Sequence, residues 1–484
     1  MCNRSESRPH VAVIGGGITG LAAAHRLGEL SPSAQVTLFE SGSRVGGILD
    51  TVKRDGFLLE CGADNFITNL PEATDLCRRI GFSDQLVNTN DGLRQAFVVS
   101  RGKLHNIPDG FIVMAPSKLW PILSTPILSP LGKLRLAWEY FVRSSYSNDE
   151  SLASFATRRF GRETYERLIQ PLVGSIYATN PDRLSLQATL PRFIEMERKY
   201  GSLIRGAYRE RAARQQRSDS GSGAPYSLFM APRDGMSSLV AALAERLPSD
   251  TIRLNSPIER LEQSANGRWS LSLNAGEHES IEVDGVIVAT PARIAADTLA
   301  TVDAQLSSGL ASIAYSSSAI VSLGFDREQI GHALNGFGFV VPATEQRRIL
   351  SASFSSVKYP GRAPAGKALI RVFINGAAVP NMLQLSQSEL VSIAMSELKS
   401  LLGISGEPIL QHLVRYPAAM PQYELGHCAK IEALQQRTAQ LPGLQLASNA
   451  YQGIGIPNCI RSAEAAAECV LAEIKQSSPT QTPA

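Results

Sequence analysis

The chain has 484 residues, of which 44% are hydrophobic and 19% charged, and its formal net charge is +3. This length is more than one simple core accommodates, so we expect two or three domains. The small net charge, with both signs mixed along the chain, argues against nucleic-acid binding. Cysteines and histidines without metal-ligand spacing argue against a metal site.

The composition also bears on the compartment. The six cysteines form no C-x-x-C pair and are expected to be reduced thiols. The first ten residues are too polar for a secretory signal. No stretch reaches the roughly eighteen apolar residues that a spanning helix needs. We therefore expect a cytoplasmic protein that does not span a membrane.

The first predicted unit is a strand, a glycine-rich turn and a helix. Apolar residues 11–14 lead into Gly15, Gly16, Gly17, Ile18, Thr19 and Gly20, which precede an alanine-rich stretch. Gly15 permits the tight turn, Gly17 lets the backbone approach a pyrophosphate, and Gly20 lets helix and strand pack closely. Glu40 ends the next apolar run, about twenty residues on, where a carboxylate can accept ribose hydroxyls. The pattern predicts a dinucleotide on the helix N-terminus, either NAD or FAD.

Residues 111–142 have a different character. Apolar side chains that include Trp120 and Trp138 are interrupted by four prolines and edged by Lys118, Lys133 and Arg135. Broken apolar helices with basic and tryptophan borders are typical of a monotopic membrane face. An ordinary helical core or the wall of an apolar cavity is the alternative.

The rest of the chain alternates between helices and strands. Further helices are predicted at residues 71–80, 151–160, 163–172, 195–217, 235–247, 386–402 and 460–474, with a low-complexity loop at 218–223. Short strands at 252–283 indicate a β-meander, residues 285–291 a buried strand, and residues 320–374 an antiparallel sheet. Strands far down the chain therefore complete the first dinucleotide unit, a layout more typical of flavoproteins than of nicotinamide dehydrogenases.

Several motifs together resemble the flavin-containing amine oxidase superfamily. They are residues 15–20, Glu40, Arg44-Val45-Gly46-Gly47 and the late loop Gly453-Ile454-Gly455-Ile456. Within that group, residues 160–163, 166–178 and 180–186 look like the corresponding run of protoporphyrinogen oxidases, and residues 191–204 and 421–460 add to the likeness. The similarity extends over nearly the whole chain. By this resemblance it is identified as a member of the protoporphyrinogen oxidase and coproporphyrinogen III oxidase family.

The resemblance implies an α/β fold with α+β inserts and three domains. A discontinuous Rossmann-like FAD-binding domain is expected at residues 1–68, 225–300 and 415–484. A substrate domain built on an antiparallel sheet is expected at 69–110 and 301–414, and a helical, membrane-associating domain at 111–224.

The cofactor that the resemblance implies is noncovalent FAD. Contacts with it are expected at Gly15, Gly16, Gly17, Ile18, Thr19, Gly20, Glu40, Ser41, Arg44, Gly46, Gly47, Ile48, Gly62, Ala63, Asp64, Asn65, Ile258, Asn449, Ile454, Gly455 and Ile456. Arg44 would offer a fixed charge to the pyrophosphate, and the glycine backbone at Gly46, Gly47 and Gly455 would leave room for the ring system.

The substrate that the resemblance implies is a porphyrinogen, which loses six electrons and six protons to dioxygen in three flavin cycles that yield peroxide. Substrate contacts are expected at Phe337, Gly338, Val340, Phe373 and Gly174. The chain departs from the family at Thr179, where glycine is usual, and at Asn69, where some relatives carry a cation for a propionate. Asn69 then remains as a candidate hydrogen-bond donor. No catalytic side chain is identified, and His427 is expected to be structural.

Protoporphyrinogen IX is the expected substrate, because the missing cation near Asn69 and the apolar residues 111–142 favour vinyl over propionate groups. Coproporphyrinogen III is the alternative, and a flavin amine oxidase or a noncatalytic porphyrin carrier are remoter ones. Peripheral contact with the cytoplasmic membrane, transfer of product to a ferrochelatase and a homodimer remain open as partner hypotheses.

Overall fold

A five-stranded parallel sheet organises one part of the molecule. The computed structural model describes residues 8–118, 120–145, 149–179, 181–218, 228–275 and 277–477. In spatial order the strands of this sheet are Ile252–Arg253, Gln35–Phe39, His10–Ile14, Gly285–Val288 and Leu444–Leu446. All neighbouring pairs are parallel. One sheet thus joins the amino-terminal unit to strands more than 200 residues away.

The two faces of this sheet enter two hydrophobic cores. Val11 and Val13 face a core shared with helices Ile18–Leu30, Met236–Ala244 and Ile456–Ser477. Ala12 and Ile14 face the opposite core, which is closed by the β-meander of Ile258–Gln263, Trp269–Ala275 and Glu277–Val283 and by helices Ala292–Leu299 and Ala304–Ala311. Such burial of both faces explains the continuous apolar sequence of the central strands.

A seven-stranded sheet forms the second part. Its order is Leu410–Pro421, Tyr315–Asp326, Lys367–Asn375, Ser351–Phe354, Gly338–Val340, Phe97–Ser100 and Lys103–Asn106. Helix Gln387–Leu402 covers one of its faces. The predicted antiparallel pairing of the strands within residues 320–374 is confirmed, whereas Gly338–Val340 also pairs in parallel with Phe97–Ser100. Those two strands come from distant segments, so no hairpin turn constrains their direction.

The third part is helical. Its helices are Trp120–Ser124, Pro130–Ala137, Leu152–Phe160, Arg162–Thr164, Tyr165–Ile169 (a π-helix), Gln170–Tyr177, Leu186–Thr189, Pro191–Tyr200 and Leu203–Ser218, around a core of their own. The prediction of one continuous helix over residues 195–217 is wrong, because Gly201 adopts a φ of +71° and ends the first helix. Except for Ser218, the predicted low-complexity loop lies outside the described residues.

The remaining elements are short or connect these parts. The strands are Thr51–Arg54 with Phe57–Glu60, Phe111–Ile112 with Ala115–Pro116, and the sheet of Phe66–Ile67, Phe229–Pro232 and Leu86–Asn88. The other helices are Glu72–Arg79, Ser355–Lys358 and His427–Thr438. Within the described ranges no helix is both long and apolar enough to cross a bilayer.

Candidate active site

The glycine-rich turn has the close contacts that its sequence predicts. Gly15 has a φ of +107° and donates its N–H to the carbonyl of Phe39 at 2.8 Å. A Cβ on Gly20 would stand 1.8 Å from the Gly15 carbonyl oxygen, so only glycine fits there. A Cβ on Gly17 would meet nothing within 4 Å. Gly17 is also the N-cap of helix Ile18–Leu30, whose first turn has no side-chain cap. The free N–H groups and the open space beside Gly17 suit a phosphate.

Glu40 lies beside this turn, at the end of the neighbouring strand. Its Oε2 accepts from the N–H of Gly16 and its Oε1 from the N–H of Gly42, both at 2.7 Å. The Ser41 hydroxyl also donates to Oε1 at 3.3 Å. A carboxylate has about four lone-pair sites, and these three contacts use three of them, so Oε2 keeps capacity for one hydroxyl donor. The backbone thus fixes Glu40 where a ribose acceptor is expected.

The loop at residues 44–49 closes over the turn. Gly46 donates to the carbonyl of Gly16 at 2.7 Å, and a Cβ on Gly47 would stand 3.5 Å from the Cα of Gly17. Arg44 donates to the Gly47 carbonyl at 2.9 Å and pairs with Asp50 at 3.3 Å. In this arrangement Arg44 holds the loop together, and its contact with a pyrophosphate stays a prediction.

Residues 62–65 lie next to this loop and reach the seven-stranded sheet. A Cβ on Gly62 would stand 2.1 Å from the carbonyl oxygen of Ile48, so the two segments are in direct contact. Asp64 pairs with Lys358 at 3.1 Å and with Arg371 at 3.6 Å. Burial alone would raise the pKa of Asp64, but the two cations lower it below its ordinary value. The expected flavin segment is therefore attached to the sheet by buried charges.

The late loop is fixed by a tyrosine. The hydroxyl of Tyr423 donates to the Asn449 carbonyl and accepts from the Gly453 N–H, each at 2.7 Å. Gly455 and Ile456 follow, where the helix Ile456–Ser477 begins beside the first helix. Ile258, half-buried at the start of the meander, packs on the opposite core of the parallel sheet.

Three of the expected substrate residues share one face of the seven-stranded sheet. Phe373 is flanked along its strand by Arg371 and Asn375, and these alternate side chains point to the same side. Across the sheet, Val340 pairs with Ser351, which pairs with Phe373. Gly338 occupies the equivalent position opposite Ser353, which pairs with Arg371.

This sheet face is turned towards the cofactor elements. Arg371 donates to the carbonyl of Gly62 at 2.5 Å, and Asn375 to the carbonyl of Ala178 at 3.1 Å. The opposite face, with Ile370 and Val372, is buried under helix Gln387–Leu402. The sheet face that carries Gly338, Val340 and Phe373 therefore lies between the cofactor elements and the helical part. Phe337 directly precedes the strand Gly338–Val340 and is half-buried.

Gly174 and Asn69 occupy different surroundings. Gly174 lies in helix Gln170–Tyr177, where a Cβ would stand 2.9 Å from the carbonyl of Thr179. Ala178 and Thr179 border a cavity of about 360 Å³ that reaches Asn375 on the sheet. Asn69 is exposed in a turn. The sequence places Asn180 beside Thr179, but Asn180 lies outside the described residues.

Burial keeps three titratable side chains near the site, those of Cys61, Tyr416 and His427, in their neutral forms. Burial raises the pKa of Cys61 to about 11 and that of Tyr416 to about 12. His427 stacks on Tyr423 with ring centroids 4.0 Å apart, contacts the Tyr451 carbonyl, and has its pKa lowered by burial. His427 is thus a packed core residue, as expected. Among the described residues no group of three His, Cys, Asp or Glu side chains could hold a metal.

Comparison with known proteins decides the family. The model of the family described as flavin containing amine oxidoreductase matches residues 18–471. The chain belongs to the flavin-containing amine oxidoreductase family. Within it, the chain is 34% identical to the coproporphyrinogen III oxidase of Bacillus subtilis (strain 168), covering 96% of this chain and 98% of that relative. It is 29% identical to protoporphyrinogen oxidase 2 of Arabidopsis thaliana, covering 99% and 96%.

Two solved structures have the same fold. A crystal structure from Exiguobacterium sp. 255-15, provisionally described as a protoporphyrinogen oxidase, superposes with a TM-score of 0.84 at 31% identity over 98% of this chain and 100% of that one. UDP-galactopyranose mutase superposes with a TM-score of 0.71 at 16% identity over 96% of each chain, a likeness of fold alone.

The residues present fit the flavin that this amine oxidoreductase family implies. Gly17 offers backbone with open space, Glu40 is fixed as a hydroxyl acceptor, and Gly46 and Gly47 add no side chains. Sequence reasoning identified these residues from local motifs. It missed Arg371, Lys358 and Tyr423, which become site residues only through contacts with distant segments.

Proposed function

We propose that the protein is an FAD-dependent oxidase of a porphyrinogen. The observation that carries this proposal is the contact between the loop at residues 62–65 and the sheet face bearing Gly338, Val340 and Phe373. It brings the expected dinucleotide cradle against a sheet face on which the apolar Val340 and Phe373 lie beside Arg371 and Asn375. Such a site suits a large substrate with an apolar body that gives up electrons to a cofactor.

FAD, held without a covalent bond, is the proposed cofactor. When bound, it supplies the two-electron chemistry, with dioxygen as the final acceptor. Glu40 would bind the adenosine ribose, and the amino end of helix Ile18–Leu30 the phosphates. The thiols of Cys61 and Cys459 are buried, and burial raises the pKa of each to about 11. Neither thiol is therefore a ready nucleophile for attachment.

The names of the relatives favour coproporphyrinogen III as the substrate. The relatives from Bacillus subtilis and Staphylococcus aureus, at 34% and 32% identity, are both named coproporphyrinogen III oxidase. Protoporphyrinogen IX is the second candidate. It is favoured by the uncharged Asn69 and by the relative from Arabidopsis thaliana at 29% identity. The two substrates differ in two propionates against two vinyl groups.

The chain's part in the reaction is to orient the substrate and to exclude water. Phe373 and Val340 would pack on the macrocycle, whereas Gly338 is glycine because a Cβ there would stand 2.1 Å from the carbonyl oxygen of Ala352. Protons would leave through the pyrrole nitrogens and water, since His427 is packed away and Tyr416 keeps its proton below a pKa of about 12.

Steady-state rates on both porphyrinogens test this proposal. We expect porphyrin fluorescence to appear with either substrate and kcat/KM to be at least tenfold higher for coproporphyrinogen III. A higher value for protoporphyrinogen IX would reverse the order of the two candidates. No porphyrin from either substrate, with FAD bound, would contradict the proposal.

We also infer that the helical part contacts a membrane peripherally. Leu131, Leu134, Trp138 and Phe141 recur at spacings of three and four residues, and each is at least 59% exposed. Side chains at these spacings share one helix face. The guanidinium of Arg205 lies over the ring of neighbouring Tyr140 at 4.5 Å. Exposed aromatic and aliphatic side chains with a basic border suit a lipid surface.

A further inference from the structure

Three charged side chains form a buried cluster between the loop at residues 62–65 and the seven-stranded sheet. Lys358 Nζ lies 3.1 Å from Asp64 Oδ2, and Arg371 Nη1 lies 3.6 Å from the same oxygen. The side chain of Arg371 is 1% exposed, and those of Lys358 and Asp64 are 16% and 17% exposed. We call these three residues the Asp64 cluster. Buried charge of this kind is costly unless it is compensated.

The Asp64 cluster carries an unbalanced positive charge. Two cations against one carboxylate sum to +1. Glu60 and Arg362 are the next charges, and each shifts the pKa of the other towards its charged form. Burial raises the pKa of Glu60 to about 7, so near neutrality its carboxylate is only partly ionised. The Nε of Arg371 is buried and has no hydrogen-bond partner within the described part of the chain. The cluster therefore holds more positive charge than the chain itself neutralises.

The position of this charge is defined by Gly62. Arg371 donates to the Gly62 carbonyl at 2.5 Å, and Gly62 abuts the backbone of Ile48, in the loop that closes over the glycine-rich turn. On the sheet, Arg371 lies between Ser322 and Ser353. The Asp64 cluster thus fixes the distance between the loop at residues 62–65 and the sheet face on which Phe373 lies.

We propose that Arg371 and Lys358 are positioning residues that hold the loop at residues 62–65 and place a net positive charge beside the flavin, which favours its electron-rich reduced form. This inference rests on the proposed function, because it requires a flavin in the predicted site. Reduction adds negative charge to the ring system, and a fixed cation in a poorly hydrated site stabilises that charge.

A direct ion pair between Arg371 and a substrate carboxylate is the competing role. With 1% of its side chain exposed, Arg371 offers almost no surface to a ligand. Its accessible neighbours Lys358 and Asp64 already form an ion pair. Arg371 therefore acts by holding the loop at residues 62–65 and through its electrostatic field.

Sulfite binding to the FAD-loaded protein tests this inference without a porphyrinogen. Sulfite gives its sulfur lone pair to flavin N5 and leaves added negative charge on the ring system, so its Kd reports the local field. We expect Arg371→Gln and Lys358→Met to raise the sulfite Kd at least tenfold. Asp64→Asn, which removes the negative charge, should lower the Kd at least threefold. Arg371→Lys should stay within threefold of the unaltered protein.

Opposite changes in the sulfite Kd, a rise when a cation is removed and a fall in Asp64→Asn, distinguish an electrostatic effect on the flavin from a structural role. Lys367→Gln is the matched control, because Lys367 lies on the same strand but pairs with Asp326 at the exposed end. It should leave the Kd unchanged. The midpoint potential of bound FAD should fall in Arg371→Gln and Lys358→Met and rise in Asp64→Asn. If sulfite binds too weakly for its Kd to be measured, the midpoint potential decides the test.

Two results would overturn the inference. One is an unchanged Kd and potential in Arg371→Gln that retains FAD, and the other is weaker sulfite binding in Asp64→Asn. If Arg371→Gln fails to fold, Lys358→Met and Asp64→Asn carry the test. Porphyrinogen turnover is measured separately. Shifted sulfite affinity without turnover would reject the proposed function alone, and turnover without shifted affinity would reject this inference alone.

Discussion

At Gly20 a single hydrogen atom decides whether the cofactor turn can form. A Cβ there would stand 1.8 Å from the Gly15 carbonyl oxygen, whereas a Cβ on Gly28 of the same helix would meet nothing within 4 Å. We expect Gly20→Ala to lower the free energy of unfolding by about 2 kcal/mol or more through overpacking and to reduce bound FAD. Gly28→Ala should raise stability by up to about 1 kcal/mol. Urea unfolding and the flavin absorbance of each purified variant measure these effects, and equal FAD content in both would contradict this account of the turn.

Glu60 gives the protein a predictable pH dependence. Burial raises its folded-state pKa to about 7 from the ordinary 4.5, so between these values the folded state binds more protons than the unfolded state. The Glu60 contribution to stability is fully present below pH 4.5 and is lost as the pH rises to about 7. Glu60→Gln stays uncharged and keeps a carbonyl acceptor for the Met236 N–H.

Urea midpoints measured from pH 5 to pH 8 check the Glu60 prediction. Relative to Glu60→Gln, the unaltered protein should lose about 3 kcal/mol of unfolding free energy across this range, at about 1.4 kcal/mol per pKa unit. Glu328→Gln, at an exposed position, serves as the control and should run parallel to the unaltered protein. A constant difference between the unaltered protein and Glu60→Gln would show that the Glu60 pKa is not raised.

Among elements, helix Pro130–Ala137 and the turn Trp138–Phe141 present the exposed apolar face from a rigid base. Between the exposed Trp138 and Tyr140, Glu139 is fully buried, where it accepts from Arg159 Nε and the Leu203 N–H, each at 2.8 Å. This buried network fixes the turn, so the aromatic side chains are exposed without being loosely held.

Removal of this face should abolish membrane binding. We expect the double variant Trp138→Ser with Phe141→Ser to lose sedimentation with vesicles of phosphatidylglycerol and phosphatidylethanolamine, while its porphyrinogen oxidation rate in solution stays within twofold. Leu228→Ser with Ile409→Ser, which are also exposed but elsewhere, is the matched control. Equal sedimentation of both double variants, or none of the unaltered protein, would reject peripheral contact through this face.

The sequence predicted some helices and strands of the molecule and missed others. The helix Gln387–Leu402 and the strand Lys367–Asn375 follow from periodicity and apolar runs. The twelve-residue strand Leu410–Pro421 was missed, because Pro417 and Ala418 interrupt its pattern. Ala418 has a φ of +45°, and the register with the neighbouring strand Tyr315–Asp326 shifts nearby. Prolines and irregularities are tolerated there because this is an edge strand, a position that only the tertiary structure defines.

On the scale of the whole molecule, the site is made by distant segments. The cofactor turn could be predicted from a local motif, since its chemistry requires consecutive glycines. Arg371 carried no local signal, because its partner Gly62 is 309 residues away in sequence. The fold brings Arg371 and Gly62 together because the seven-stranded sheet packs against the loop at residues 62–65. The proposed porphyrinogen site is accordingly a property of the assembled chain.

The central claim is that this chain passes electrons from a porphyrinogen to a bound flavin. The most direct test mixes the purified, FAD-loaded protein with coproporphyrinogen III in the absence of oxygen. The account predicts that the yellow flavin absorbance bleaches as the substrate is oxidised, and that admission of oxygen restores it and gives a porphyrin Soret band. Flavin that stays oxidised with coproporphyrinogen III, and equally with protoporphyrinogen IX, would contradict the account.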